Sequence, residues 1–371
     1  MIICENSKKT SFDNLDIITT GGTGTRTFYI TAVSERNGIK YPLFDSLMNF
    51  LEQEKAVVLS QLVFGNRSRY EKSISKMIEL SASFDWPVTW LHGDTCSCDS
   101  VTSTVVTAVA ELETKPVMLN GKKAGVFYRD AYAEYCYLGD IHGGLPLAPR
   151  QEQAHAAYEK MLSALESVGM NFTNVVRMWN YLDNLLDWYG EFNEMRTEFF
   201  HKHNVFSSMV PGGTGIGAGN PHNAAYNGEL IAVKPLNSEI TVRAVPSPMQ
   251  CPAIDYKSSF SRAVEIASPI CRYLTISGTA SIDPDGHTVN INDTPAQIEL
   301  TMQVVHAILS SCGMNWSDTV KSIAYFKDIN DVPFFYDYLR KEKLPSFPVA
   351  VSHAAICRND LLFELELDAV K

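Results

Sequence analysis

An internal duplication constrains this chain more than any other feature of its sequence. The segment QAHAAYEKMLSALESVGMNFTNVVRMWNYL, beginning at Gln153, aligns without a gap on QIELTMQVVHAILSSCGMNWSDTVKSIAYF, beginning at Gln297, at a constant offset of 144. Gly169-Met-Asn171 falls on Gly313-Met-Asn315, Val176 on Val320 and Tyr181 on Tyr325. Repeats of this kind stack copies of one supersecondary unit. Each copy has the same local grammar. A β-rich stretch (133–138; 272–277) precedes a helix with apolar residues at helical spacing, such as Met161, Leu165 and Val168, or Val305, Ile308 and Leu309. Gly169 and Gly313 stand where a C-cap glycine ends that helix. A strand follows (175–182; 320–326), then a second helix, a Pro-containing turn and closing strands. This order predicts a sheet carrying two helices on one face. Residues 1–125 repeat the order with little sequence likeness: strand 28–33, helix 42–53, strand 56–64, helix 68–83 and late strand 101–112.

The remaining bulk properties exclude whole classes of function. A formal charge of −11 argues against a general nucleic-acid or acidic-membrane binder, since phosphate neutralisation needs clustered Lys and Arg. No apolar run approaches the ~20 residues of a membrane span, and MIICENSKKTSFD lacks a signal-peptide core. A cytoplasmic protein is expected, a monomer or low-order homo-oligomer. The eight cysteines (4, 96, 98, 136, 251, 271, 312 and 357) are scattered, which fits reduced, packed thiols. Cys96-Ser-Cys98 has no second pair at finger spacing, and His201 and His203 face different sides of a helix. No metal site is expected.

With Ser277-Gly-Thr-Ala280, Asp285-Gly286, Gln297, Gly313, Phe347-Pro348 and Phe363-Glu-Leu-Glu-Leu-Asp-Ala369, the third copy resembles the RidA/YjgF (endoribonuclease L-PSP-like) family. The resemblance implies an α/β (α+β) fold with a β-sheet and two helices per repeat. RidA-like proteins are usually homotrimers with sites between subunits. Three fused copies (1–122, 123–246 and 247–371) therefore imply a single-chain pseudo-trimer with non-equivalent clefts. RidA-type imine deaminases hold the substrate carboxylate with an arginine two residues after the proline of the Phe-Pro turn. Here those places hold Ala350 and Gly213, which removes the bidentate clamp.

Arg177-Met-Trp-Asn-Tyr181, Tyr189-Gly-Glu-Phe-Asn-Glu-Met-Arg196 and Pro211-Gly-Gly-Thr-Gly-Ile-Gly217 are similar to a fused branch of the same superfamily, the chorismatases. These cleave chorismate to pyruvate and either 3-hydroxybenzoate or a dihydroxycyclohexadiene acid. Cys357, seven residues before Glu364, resembles the 3-hydroxybenzoate-forming subgroup. The resemblance implies a small carboxylated, chorismate-like substrate and no cofactor. It assigns Glu364 as general acid, matching the family's acid on the closing strand, with Cys357 participating.

The residues themselves say what such roles require. Glu364 and Glu366 share one face of a strand, and an acid among Leu362, Phe363 and Leu365 is placed for a raised pKa. Tyr189, Asn193 and Arg196 form one helical stripe able to grip a carboxylate. Arg177 lies on a strand between apolar neighbours and needs a partner or a ligand. Arg262 and Arg272 are further candidates for substrate or for pairing at a repeat interface. The glycine-dense run from Pro211 to Gly219, with Gly213 and Thr214, lets backbone approach a ligand or a neighbouring repeat. Two other functions stay open: an imine/enamine deaminase with a relocated arginine, and a non-catalytic ligand-binding protein of the same fold.

Overall fold

The structure, a computed structural model, describes residues 8–22, 25–36, 38–92, 101–144 and 146–371. Cys4, Cys96, Cys98 and most of the N-terminal stretch lie outside the described residues. Three consecutive stretches, 8–110, 114–235 and 241–370, each contribute six strands to a sheet of their own, and Ala355–Ile356 of the third adds a seventh strand to the second sheet. Numbered among these six strands alone, every sheet has the strand order first, second, third, sixth, fourth, fifth. The helices fall after the third and fourth strands in all three: Leu43–Gln53 and Tyr70–Leu80, Arg150–Glu166 and Tyr189–Lys202, Thr294–Ser311 and Val332–Lys341.

The first stretch thus has the element order expected of it, with more strands than its sequence suggested. Lys8–Phe12 and Leu15–Gly22 form a hairpin ahead of Thr25–Val33. The first sheet ends at Ala110, and Thr114–Leu119 already pairs with Lys122–Arg129 in the second. Likewise Thr241–Val245 pairs into the third sheet ahead of the Pro246 cluster. Both junctions lie some residues before the expected boundaries near 122 and 246. The prolines there mark a loop inside the third unit rather than its edge.

Two kinds of core hold the molecule together. One face of each sheet is covered by its own helices, as Leu47, Met48 and Met77 do in the first unit. Met161 and Phe199 do so in the second, and Met302 and Phe335 in the third. The opposite faces meet in a shared core to which Leu62 and Phe64, Trp179 and Tyr181, and Ile323 and Tyr325 all contribute. Strands buried on both faces read as near-continuous apolar runs, and every residue of Val175–Leu182 is buried. Full burial of such side chains contributes roughly 1.5–3 kcal/mol each.

The Gly-Met-Asn signature has a local explanation. Gly169 and Gly313 take φ of 74° and 66° after the helix, a conformation glycine adopts without steric cost. Met170 and Met314 bury their side chains. Asn171 and Asn315 then cap the next turn, each side chain accepting from the backbone N–H two residues on, at 2.8 Å. No described helix is long and apolar enough to cross a membrane.

Candidate active site

The closing strand Phe363–Val370 lies in the middle of the third sheet, between Arg272–Ala280 and Thr319–Phe326. Its period-two alternation sends Phe363, Leu365, Leu367 and Ala369 under the helices. Glu364, Glu366 and Asp368 therefore face the neighbouring sheets, and all three are buried. A bare buried carboxylate is costly, so each needs a partner or a proton.

Glu366 has partners from the second sheet. Its Oε2 accepts from Arg177 Nη2 at 2.8 Å and from Thr214 Oγ1 at 2.5 Å, and Trp179 Nε1 donates at 2.9 Å. Thr214 Oγ1 in turn accepts from Arg177 Nη2 at 2.7 Å and from the Gly278 N–H at 3.0 Å. Asp368 has Lys321 at 2.7 Å. Glu364 has no hydrogen bond or ion pair among the described residues and takes the other course. Burial, then the charge of Glu366, push its pKa up to about 8, partly opposed by Arg177 and Arg262. It is a neutral carboxylic acid at neutral pH.

Around this acid stand groups from both units. The helix Tyr189–Lys202 of the second unit presents Tyr189, Asn193 and Arg196 on one stripe. Arg196 is buried, with Nη2 on Asn193 Oδ1 at 2.5 Å and Phe192 beneath its guanidinium. Its Nε has no partner, and no acid pairs with it among the described residues. Burial raises the Tyr189 phenol to about 12, with further effects from Cys357, Arg196 and Glu364, so these four groups share one locality. Arg262 is also buried without an acidic partner among the described residues. Its Nε and Nη2 donate to the Cys251 carbonyl at 3.0 and 2.8 Å.

Cys357 arrives from an unexpected direction. Ala355–Ile356 leaves the third sheet to pair with Gly212–Gly217 of the second, and the chain then turns at 357–360. The odd spacing of Cys357 from Glu364 therefore does not put the two on opposite faces of one strand. Burial and the Glu364 charge push the thiol up to about 12, so it is present as thiol and not as a thiolate nucleophile.

The sequence candidates thus divide. Glu364, Cys357, Tyr189, Asn193, Arg196 and Arg262 come together. Arg177 and Thr214 are adjacent, but their polar groups are engaged by Glu366. Arg272 does not join them: it pairs with Glu265 and donates to the Cys312 carbonyl at 2.8 Å, within its own unit. Gly213 donates its N–H to Ser277 Oγ at 2.9 Å, and a Cβ there would come within 2.9 Å of Phe260, so this glycine permits close approach of the two units. By ladder register, moreover, Thr214 and not Gly213 is the counterpart of Ala350, since these pair with Trp179 and Ile323. Neither position holds an arginine.

Sequence reasoning missed Tyr256, Arg358 and Gly278. Arg358 and Arg262 both stack on Tyr256, at 5.0 and 5.3 Å, and both act on the Cys357 thiol. Adjacency of Arg358 to Cys357 was the available signal. Gly278 lies under Glu364: a Cβ there would fall 1.9 Å from Oε1. Gly278→Ala is expected to displace the carboxyl and lower turnover roughly 100-fold, while leaving the melting temperature nearly unchanged. Equal loss of folding and activity would refute the local explanation.

Comparison with known proteins finds two family matches along the chain. Residues 122–226 match the family described as chorismatase FkbO/Hyg5-like, N-terminal, and residues 252–371 match endoribonuclease L-PSP. A 3-hydroxybenzoate synthase from Streptomyces hygroscopicus is 26% identical over 276 residues, covering 67% of this chain and 77% of the relative. A crystal structure of a chorismatase superposes with a TM-score of 0.64 at 18% identity, over 94% of this chain and 100% of that one. That likeness shows the fold. The resemblance to the fused, chorismatase-like branch of the RidA/YjgF superfamily rests on the two family matches and the curated relative, and the solved structure shares the fold.

Proposed function

We propose that this chain, with its chorismatase-type region followed by an L-PSP-type region, cleaves chorismate to pyruvate and 3-hydroxybenzoate in the cleft between its second and third sheets. The observation that carries the reading is Glu364, a buried acid that keeps its proton at neutral pH in the locality of Arg262 and Arg196, neither of which has an acidic partner among the described residues. The 26% identical relative, a 3-hydroxybenzoate synthase, supports the choice of product. The three sheets, with their common strand order, are read as a single-chain counterpart of a trimer.

Chorismate carries an enol ether and two carboxylates. Arg196, held by Asn193, and Arg262 supply charge-assisted donors for the carboxylates, with Tyr189 as a further donor. Glu364 delivers its proton to the terminal carbon of the enol ether, leaving an oxocarbenium ion stabilised by the ether oxygen. The ring C4 hydroxyl oxygen then displaces pyruvate at ring C3, losing its proton and closing an epoxide, and opening of that epoxide at C4 with loss of the C3 proton yields 3-hydroxybenzoate. Chorismate contains the same atoms as pyruvate plus 3-hydroxybenzoate, so no net water is consumed. The ionised Glu364 is stabilised by the Arg177 and Arg262 charges until a proton returns. Cys357, a neutral thiol at the acid, can donate a proton or shape the ring's seat, but does not attack as a thiolate.

The pH dependence follows from the sign of the shift. The active form is protonated Glu364, so kcat should be flat below about 8 and fall about tenfold per unit above it. The check is pyruvate release measured across pH on enzyme shown to remain folded. A rate that stays level well above that point would remove Glu364 as the acid. Imine deamination is not favoured, because neither Thr214 nor Ala350 supplies the arginine that chemistry uses. Incubation with chorismate, assayed for both products, tests the whole reading; binding without turnover would leave a ligand-binding protein.

A further inference from the structure

The ladder positions of Glu364 and Glu366 have counterparts in the other two sheets. Tyr325 pairs with Glu364, Tyr181 with Asn227 and Phe64 with Ser103. Two residues along the same face, Ile323 pairs with Glu366, Trp179 with Glu229 and Leu62 with Val105. The contact across the sheets also recurs. Thr89 of the first sheet donates to Glu229 of the second at 2.7 Å, as Thr214 does to Glu366. Each hydroxyl accepts a backbone N–H from a bulged strand, Asp140 at 2.9 Å and Gly278 at 3.0 Å. The junction of the third and first sheets has Ala350 and Val105 at these places and lacks the pair.

At the junction of the first and second sheets, the position of Gly278 is taken by Asp140, whose φ is 53°. That left-handed conformation is uncommon outside glycine and clusters at functional positions. It turns the carboxylate toward Asn227, which donates through Nδ2 at 2.8 Å, and toward His222 Nε2 at 3.0 Å. His142 stacks on His222 at 4.2 Å, nearly parallel. The Asp140 and His222 side chains remain 17% and 23% exposed, so solvent reaches them. Asn227 is fully buried, and its Oδ1 has no partner.

We propose that this cleft is a second ligand site, for a small hydroxylated carboxylate. The carboxylate lies against His222, and the ligand hydroxyl donates to Asn227 Oδ1. Asp140 fixes which nitrogen of His222 carries its proton, leaving the other edge of the ring for the ligand. His222, Lys160 and Lys122 bring positive charge to the site, and Asp140 and Glu229 bring negative charge. Burial, then His222, Lys160 and Lys122, drive the His142 pKa down to about 4 against the opposing charge of Asp140. Burial alone would also lower His222, but the hydrogen bond and charge of Asp140 leave its net shift upward. Nothing in this site depends on turnover at Glu364.

The test follows the His222 imidazole resonances by NMR in the full chain at about pH 6.5, where the ring can carry charge. The probes are 3-hydroxybenzoate, benzoate as the anion without the hydroxyl, and inorganic phosphate. Expected is a saturable shift with 3-hydroxybenzoate, at least about fivefold weaker binding of benzoate, roughly 1 kcal/mol, and weaker binding still of phosphate. The shift should persist in Glu364→Gln, which separates this site from the first whether or not chorismate is a substrate. His222→Gln should remove the corresponding calorimetric event and leave pyruvate release within about twofold. No saturable shift at His222, or equal affinity for benzoate, overturns the proposal on the wild-type chain alone, even if the variants fail to fold.

Discussion

Glu364→Gln is expected to lower pyruvate release from chorismate by at least about 10²–10⁴-fold, the usual contribution of a positioned general acid. Gln preserves the shape of the side chain and removes the transferable proton. The substitution also separates catalysis from stability. In the folded chain Glu364 ionises near 8, far above a solvated carboxyl. The stability it contributes is therefore full below the unfolded carboxyl's pKa and declines as pH rises through about 8. The Gln variant escapes that decline and should melt no lower than wild type under alkaline conditions. Product formation within tenfold of wild type would show that another group supplies the proton.

Arg177→Ala should be the most destabilising single change at this interface. It strands Glu366 in a site where both partners are about 2% exposed or less, and breaking such a pair costs about 3–5 kcal/mol. The companion measurement is Arg177→Met combined with Glu366→Gln, which removes both charges. That double variant should recover most of the loss in thermal or denaturant unfolding. It should change the Glu364 pKa little, because the raising charge of Glu366 and the opposing charge of Arg177 leave together. A single variant as stable as wild type, or a double variant no better than the single, would show the ion pair to be incidental.

The legible part of this protein was local. The 144-residue offset is read by laying the sequence on itself, and the capping of Gly169 and Gly313 and the period-two pattern of Phe363–Val370 each depend on neighbours a few residues apart. The stripe of Tyr189, Asn193 and Arg196 was visible for the same reason. Arg177 and Arg196 were not separable in this way. Both are buried arginines, yet one meets Glu366, 189 residues away, and the other donates to Asn193, three residues back along its helix, with no acid paired to it among the described residues. Arg272 looked equivalent until Glu265, on the adjoining strand, proved to occupy it. Asp140 and His222 gave no signal, because their pairing spans 82 residues and depends on a strand bulge.

By itself, then, the sequence determined the repeated unit, the loss of the deaminase arginine and the spacing of Cys357 from Glu364. These follow from residue type and short-range periodicity. The tertiary structure alone decided which buried charges are satisfied and which remain open to a ligand. It also decided that Glu364 holds a proton at neutral pH. Those outcomes depend on desolvation and on charges brought in from another sheet, and both arise only when the three sheets close on one another.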